Sequence, residues 1–190
     1  MRHIWRNVRK YVIVVCTVSI LMILGKQAEA KQITVHNITE STTFCTLLED
    51  GDTVVLRSNG GSVKAAWEMV DCIRSKYVSI RVERAYSAAT FLALAGREVC
   101  LTSYARLGFH SAYAINLLTG NTVNLSVKKL RSLSRIVYYR MLDQGYSKQT
   151  TLYVIGLTFM TPSENISVLR FDEIKEILDH RFTGECNEQN

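Results

Sequence analysis

Proline is nearly absent: Pro162 is the single one among 190 residues, so helices earlier in the chain meet few breakers. Internal repeats, low-complexity stretches and long blocks of like charge are also missing, which excludes solenoid, collagen-like and extended disordered architectures. No two cysteines stand in C-x-x-C spacing, so a structural zinc site has no ligand set and no metal is expected. The longest apolar run, 11–24, falls well short of the about 20 residues that a membrane-crossing helix needs.

What is present begins with an address. Arg2, Arg6, Arg9 and Lys10 form a basic leader, followed by the apolar run and by Ala28-Glu29-Ala30, a small-x-small processing pattern. That three-part layout predicts a secretory signal peptide over 1–30 with cleavage after Ala30, an uncleaved signal anchor being the alternative. The expected destination is the periplasm or the exterior. Residues 31–190 are then predicted to be one domain, since 160 residues can bury one real core but not two. Five of the 23 basic residues and one of the 17 acidic residues lie in the leader, leaving 18 against 16. The alkaline pI near 9.1 is therefore largely a property of the leader, and nucleic-acid binding is not expected.

Four cysteines remain after the leader: Cys45, Cys72, Cys100 and Cys186. In an oxidising compartment an even count permits none, one or two disulfides, in three full connectivities, and the sequence leaves the pairing open.

Along the mature chain, 33–36 alternates like a strand, 41–49 reads as helical, and 53–56 as a short buried strand. Asn59-Gly60-Gly61 opens a helix near Ser62, with Val63, Ala66, Met69, Val70 and Ile73 at helical spacing. Strand 77–82 follows, then a helix from Ser87 to Ala95 that is apolar on all sides and closed by Gly96. Strands are predicted at 99–102 and 107–110, and helices over 123–142, 148–155 and 171–178. Strand and helix alternating with short links means βαβ units and a mainly parallel sheet.

Two turns with small residues lie where a strand feeds a helix, one around Gly60 and Gly61, the other around Ser87 and Ala88. Glycines let the backbone approach a ligand with no Cβ between, and the free N–H groups at a helix start suit a developing oxyanion. Read one at a time, these features have plainer explanations: turn chemistry for the glycines, an N-cap for Ser87, a structural role for His110.

Read together, segment 53–110 resembles the core of the Clp protease proteolytic subunit, and more closely the small exported Clp-protease-like proteins of bacteria. In those families a strand leads into Ser-Pro-Gly-Gly-Ser-Val and a helix, here Ser58-Asn59-Gly60-Gly61-Ser62-Val63. A second strand leads to the nucleophile, here Ser87-Ala88-Ala89-Thr90, on a helix ending in Ala95-Gly96. The segment carrying the base is matched by Ala105-Arg106-Leu107-Gly108-Phe109-His110. The resemblance implies a ClpP/crotonase-like α/β fold, with repeated β-β-α and βαβ units and a mainly parallel sheet flanked by helices. It implies Ser87 as nucleophile, His110 as general base, and the N–H groups of Gly60, Gly61 and Ala88 as an oxyanion hole. It implies no cofactor, a peptide or small ester as substrate, and a homo-oligomer; no ATPase partner is expected outside the cytoplasm.

The sequence also departs from the family. Asn59 replaces the proline, and the position of the family's third triad member, an aspartate, falls on Leu157. Glu164 and Asp172 are the nearby acids, and Lys128, Lys129 and Lys148 are the lysines available to a Ser–Lys dyad. The expected function is an exported serine hydrolase, a peptidase first. Its alternatives are a binding or assembly module that keeps the fold around a decayed site, and an acyl-CoA enzyme of the crotonase type.

Overall fold

The computed structural model describes residues 30–116, 118–119 and 121–186. The chain divides into two units, 1–30 and 31–190, and every described helix and strand belongs to the second. The signal peptide reading lies outside the described residues. Among them, no helix is long and apolar enough to cross a membrane.

The first half alternates strictly: β1 (Gln32–Val35), α1 (Thr42–Leu47), β2 (Thr53–Ser58), α2 (Val63–Ser75), β3 (Ser79–Tyr86), α3 (Ala89–Ala95), β4 (Glu98–Phe109). There follow β5 (Tyr113–Ile115), β6 (Thr122–Asn124), α4 (Val127–Asp143), α5 (Lys148–Met160), β7 (Ser167–Arg170), α6 (Phe171–Leu178), a 3-10 turn and β8 (Phe182–Glu185). Strands β1 to β4 are all parallel, in chain order, as expected of strands joined by helical crossovers. β4 is long enough to take two further partners: its start pairs in parallel with β8 and its end antiparallel with β7. The mainly parallel α/β sheet read from the sequence is the one observed.

Pleating sorts the strands' side chains between two faces. Ser58, Ala85 and Leu107 occupy one register row and are all fully buried against the helices. Their neighbours Arg57, Arg84 and Arg106 occupy the preceding row, on the opposite face. On the helix side, α3 is buried along its whole length, as its uniformly apolar sequence requires, and its Phe91 stacks on Trp67 of α2 at 4.5 Å. The carbonyls at the end of α3 need donors. Buried Arg181 supplies N–H bonds to Leu94 and Gly96, and the Tyr146 hydroxyl donates to Leu94 at 2.8 Å.

Three elements differ most from the sequence expectation. Segments 99–102 and 107–110 are one twelve-residue strand, because Tyr104 and Arg106, on the outer face, alternate with buried Ala105 and Leu107. The helix expected over 123–142 begins only at Val127, where the Ser126 side chain accepts the Lys129 N–H, and 122–124 pairs with Tyr113–Ile115 as a hairpin. The helix expected over 148–155 runs on to Met160, just ahead of Pro162.

The four cysteines form two bridges. Cys45–Cys72 ties α1 to α2, and Cys100–Cys186 ties β4 to the residue after β8. They close loops of 27 and 86 residues. In the chain-entropy treatment such loops are worth roughly 3 to 5 kcal/mol each.

Candidate active site

Ser87 follows the last residue of β3. Its N–H donates to the Gly108 carbonyl at 2.7 Å, and its backbone turns into the left-handed region at φ 55°. That conformation costs a non-glycine residue about 1–2 kcal/mol and persists only where the surroundings impose it. The N-cap of α3 is Ala88, which has no side-chain cap, so Ser87 is not the capping residue that a serine at a helix start suggests. The Ser87 carbonyl instead accepts both the N–H and the hydroxyl of Thr90, at 3.1 and 2.7 Å. Its side chain lines a cleft.

The glycine turn is packed against this bend. A Cβ on Gly60 (φ 102°) would lie 2.6 Å from the Ser87 Cβ and 2.7 Å from the Tyr86 carbonyl oxygen. A Cβ on Gly61 (φ 143°) would lie 2.1 Å from the Ile38 oxygen. Ile38 holds the turn from both sides, its N–H donating to Gly60 and its carbonyl accepting from Ser62. The three amides proposed for an oxyanion are not equivalent, however. The Gly60 N–H donates to the Ser58 hydroxyl at 3.1 Å. Those of Gly61 and Ala88 bond no acceptor among the described residues and remain available.

His110 follows the last residue of β4 and lines the same cleft as Ser87. Its Nδ1 lies 2.8 Å from the carbonyl oxygen of Ser111. A carbonyl only accepts, so Nδ1 carries the proton there and Nε2 is left with its lone pair. Ser111 is fixed in turn, with its N–H on Thr161 and its hydroxyl on Phe159. The imidazole is stacked with Tyr113, the ring centroids 5.8 Å apart.

The remaining cleft walls are apolar: Val63 and Trp67 of α2, Phe91 of α3, Leu133 and Val137 of α4, Phe159 of α5. Among the described residues neither a carboxylate nor a lysine lines it. Leu157, at the expected third position, packs against the core. Glu164 and Asp172 are exposed, as are Lys128, Lys129 and Lys148. The Trp67 indole N–H is buried with no acceptor among the described residues. The free space is about 30 Å³, room for about two water molecules, and α4 forms one of its walls. Only Val137 and Met141 of that helix are buried. The sequence named Ser87, His110 and the glycines; it did not point to the Ser111 carbonyl, because a backbone acceptor leaves no residue-type signature.

No family model matches the sequence, and no curated protein matches it. Solved structures do. The membrane-bound stomatin-specific protease 1510-N, as a serine-to-alanine mutant, superposes with a TM-score of 0.62 at 16% identity, over 85% of this chain and 80% of that one. A lysine-to-alanine mutant of the same protease, in complex with a substrate peptide, gives 0.62 at 14% identity, over 85% and 75%. A mutant of ClpP1 from Listeria monocytogenes gives 0.57 at 16% identity, over 83% and 92%. At such identities the likeness speaks for architecture, and it agrees with the parallel sheet and its crossovers: this chain has a ClpP-like α/β fold.

Proposed function

We propose that the protein is a serine hydrolase acting on peptides, with Ser87 as nucleophile and His110 as its general base. One observation carries the reading: Ser87 is held in a strained left-handed bend, with no capping duty, beside the cleft that His110 also lines. In the proposed reaction His110 Nε2 takes the hydroxyl proton as Ser87 Oγ attacks the substrate carbonyl. The Gly61 and Ala88 N–H groups receive the oxyanion. His110 returns the proton to the leaving amine or alcohol, and water then frees the acyl group by the same route. The Ser111 carbonyl does the orienting that an aspartate does in a triad: it selects the tautomer with Nε2 free. A Ser–Lys arrangement is disfavoured, since every lysine considered is exposed and off the cleft.

The apolar walls favour an uncharged substrate side chain beside the scissile bond. Export to an oxidising compartment is part of the proposal, supported by the leader and by two disulfides. Homo-oligomerisation is supported by α5, which leaves Leu152, Tyr153 and Met160 exposed.

The test is labelling by a fluorophosphonate probe. Wild-type protein labels at Ser87 and Ser87→Ala does not; wild-type protein that never labels overturns the reading. That outcome would favour the second reading, a binding module with a decayed site, whose supporting observation is that no carboxylate of the described residues lines the cleft.

A further inference from the structure

The outer face of the sheet carries a row of arginines that the proposed hydrolysis does not use. Arg57 pairs with Arg84, Arg84 with Arg106, and Arg106 with Arg170, one residue from each of four adjacent strands. At about 4.8 Å between strands the row spans roughly 14 Å. Like charges directly opposite one another destabilise a sheet, so such a row calls for counter-charge. The fold supplies it at one end. Glu83, buried in a bulge of β3, takes a two-pronged grip from Arg57, at 2.5 and 2.9 Å, and lies 3.4 Å from Arg81. No carboxylate of the described residues pairs with Arg84 or Arg106. These two, with Arg57, Glu83 and Tyr104, line a recess of about 440 Å³.

We propose that this recess is a binding site for carboxylate-rich polypeptide segments, which Arg84 and Arg106 grip as Arg57 grips Glu83. Three observations choose that ligand. The guanidinium fork matches a carboxylate in two prongs, and the site already shows that pairing internally. The recess is concave, which does not suit the plane of a bilayer. With 18 basic against 16 acidic residues after the leader, the mature chain lacks the broad positive field with which proteins hold nucleic acid, so the attraction is local. Arg84 is three residues before Ser87, about 10 Å along the chain, and its side chain lies on the face of the sheet opposite the cleft. That the segment belongs to a substrate rests on the peptidase reading; the binding does not.

The experiment therefore uses the full, disulfide-bonded protein carrying Ser87→Ala, so that the outcome does not depend on catalysis. Anisotropy of a fluorescein-labelled oligoglutamate is followed as this protein is added, and again with Arg84→Gln and Arg106→Gln introduced together. Circular dichroism checks the fold, and Arg84→Lys with Arg106→Lys keeps charge while removing the fork. The expected result is saturable binding that the double Gln variant weakens at least about tenfold and the Lys variant weakens measurably. A smaller loss in the Gln variant overturns the proposal. So does tighter binding of a labelled single-stranded oligonucleotide or of phosphatidylserine vesicles than of the oligoglutamate.

Discussion

The two faces of one sheet do opposite work here, although they are built from neighbouring residues of the same three strands. Ser58, Ala85 and Leu107 point to the helices and are fully buried, and just past the ends of two of these strands Ser87 and His110 line an apolar cleft, with Gly60 packed behind Ser87. Arg57, Arg84 and Arg106, one step back, meet solvent in a charged recess. A period of two is enough to separate a core from a ligand surface, and it places both within a few residues of the same rim. The difference teaches where sequence change is tolerated. On the inner face a lost group leaves a cavity; on the outer face it leaves water.

Four measurements bear on that contrast. The largest effect is expected at the rim. His110→Ala should lower peptide or ester turnover by roughly 10⁴-fold or more, with the urea midpoint little changed; a loss of activity that merely follows a loss of folding would break the assignment. Next comes the pair Leu107→Ala and Arg106→Ala, adjacent in sequence and opposite in facing. The first should cost about 2–5 kcal/mol in urea unfolding and the second no more than about 0.5, and equal costs would erase the distinction between faces. Ser87→Gly should end labelling yet raise stability by about 1 kcal/mol, since glycine adopts φ 55° without strain. The smallest effect lies at the outer face. The hydrogen bonds from Arg57, opposed by burial, hold the Glu83 carboxyl below its ordinary value. Its stabilisation is therefore fully present above about pH 4.5 and is lost as acid protonates the native form. Glu83→Gln should flatten the acid limb of stability against pH, measured by thermal unfolding.

The inner face was the legible one. Val63, Ala66, Met69, Val70 and Ile73 repeat at helical spacing, and four of the five are buried in α2 as that spacing demands, while Val63 lines the cleft. The uniformly apolar stretch 89–95 has no polar side to show water, and it lies in the middle of the molecule. What escaped was whatever depends on partners distant in sequence. β5 and β6 have three exposed residues each and no apolar alternation to mark them. β7 and β8 are four residues long and exist because β4 offers them edges. The arginine row could not be read from the chain either, for Arg57, Arg84, Arg106 and Arg170 are far apart in it and meet only through register. Hydrogen bonds of the main chain leave the least trace of all, which is why the acceptor of the His110 proton surfaced only in the folded structure.

The C-terminal clip has a practical side. From Val99 to Leu101 the flank of β4 is closed by β8, a four-residue strand fastened by Cys186. Where thiols stay reduced, that short strand is kept seated by its ladder bonds and by Phe182, which packs against the core and Phe171. Each time it lifts, β4 offers bare amides and carbonyls to any extended chain nearby. Overproduction in a reducing cytoplasm should therefore yield inclusion bodies, and routing through an oxidising compartment soluble material.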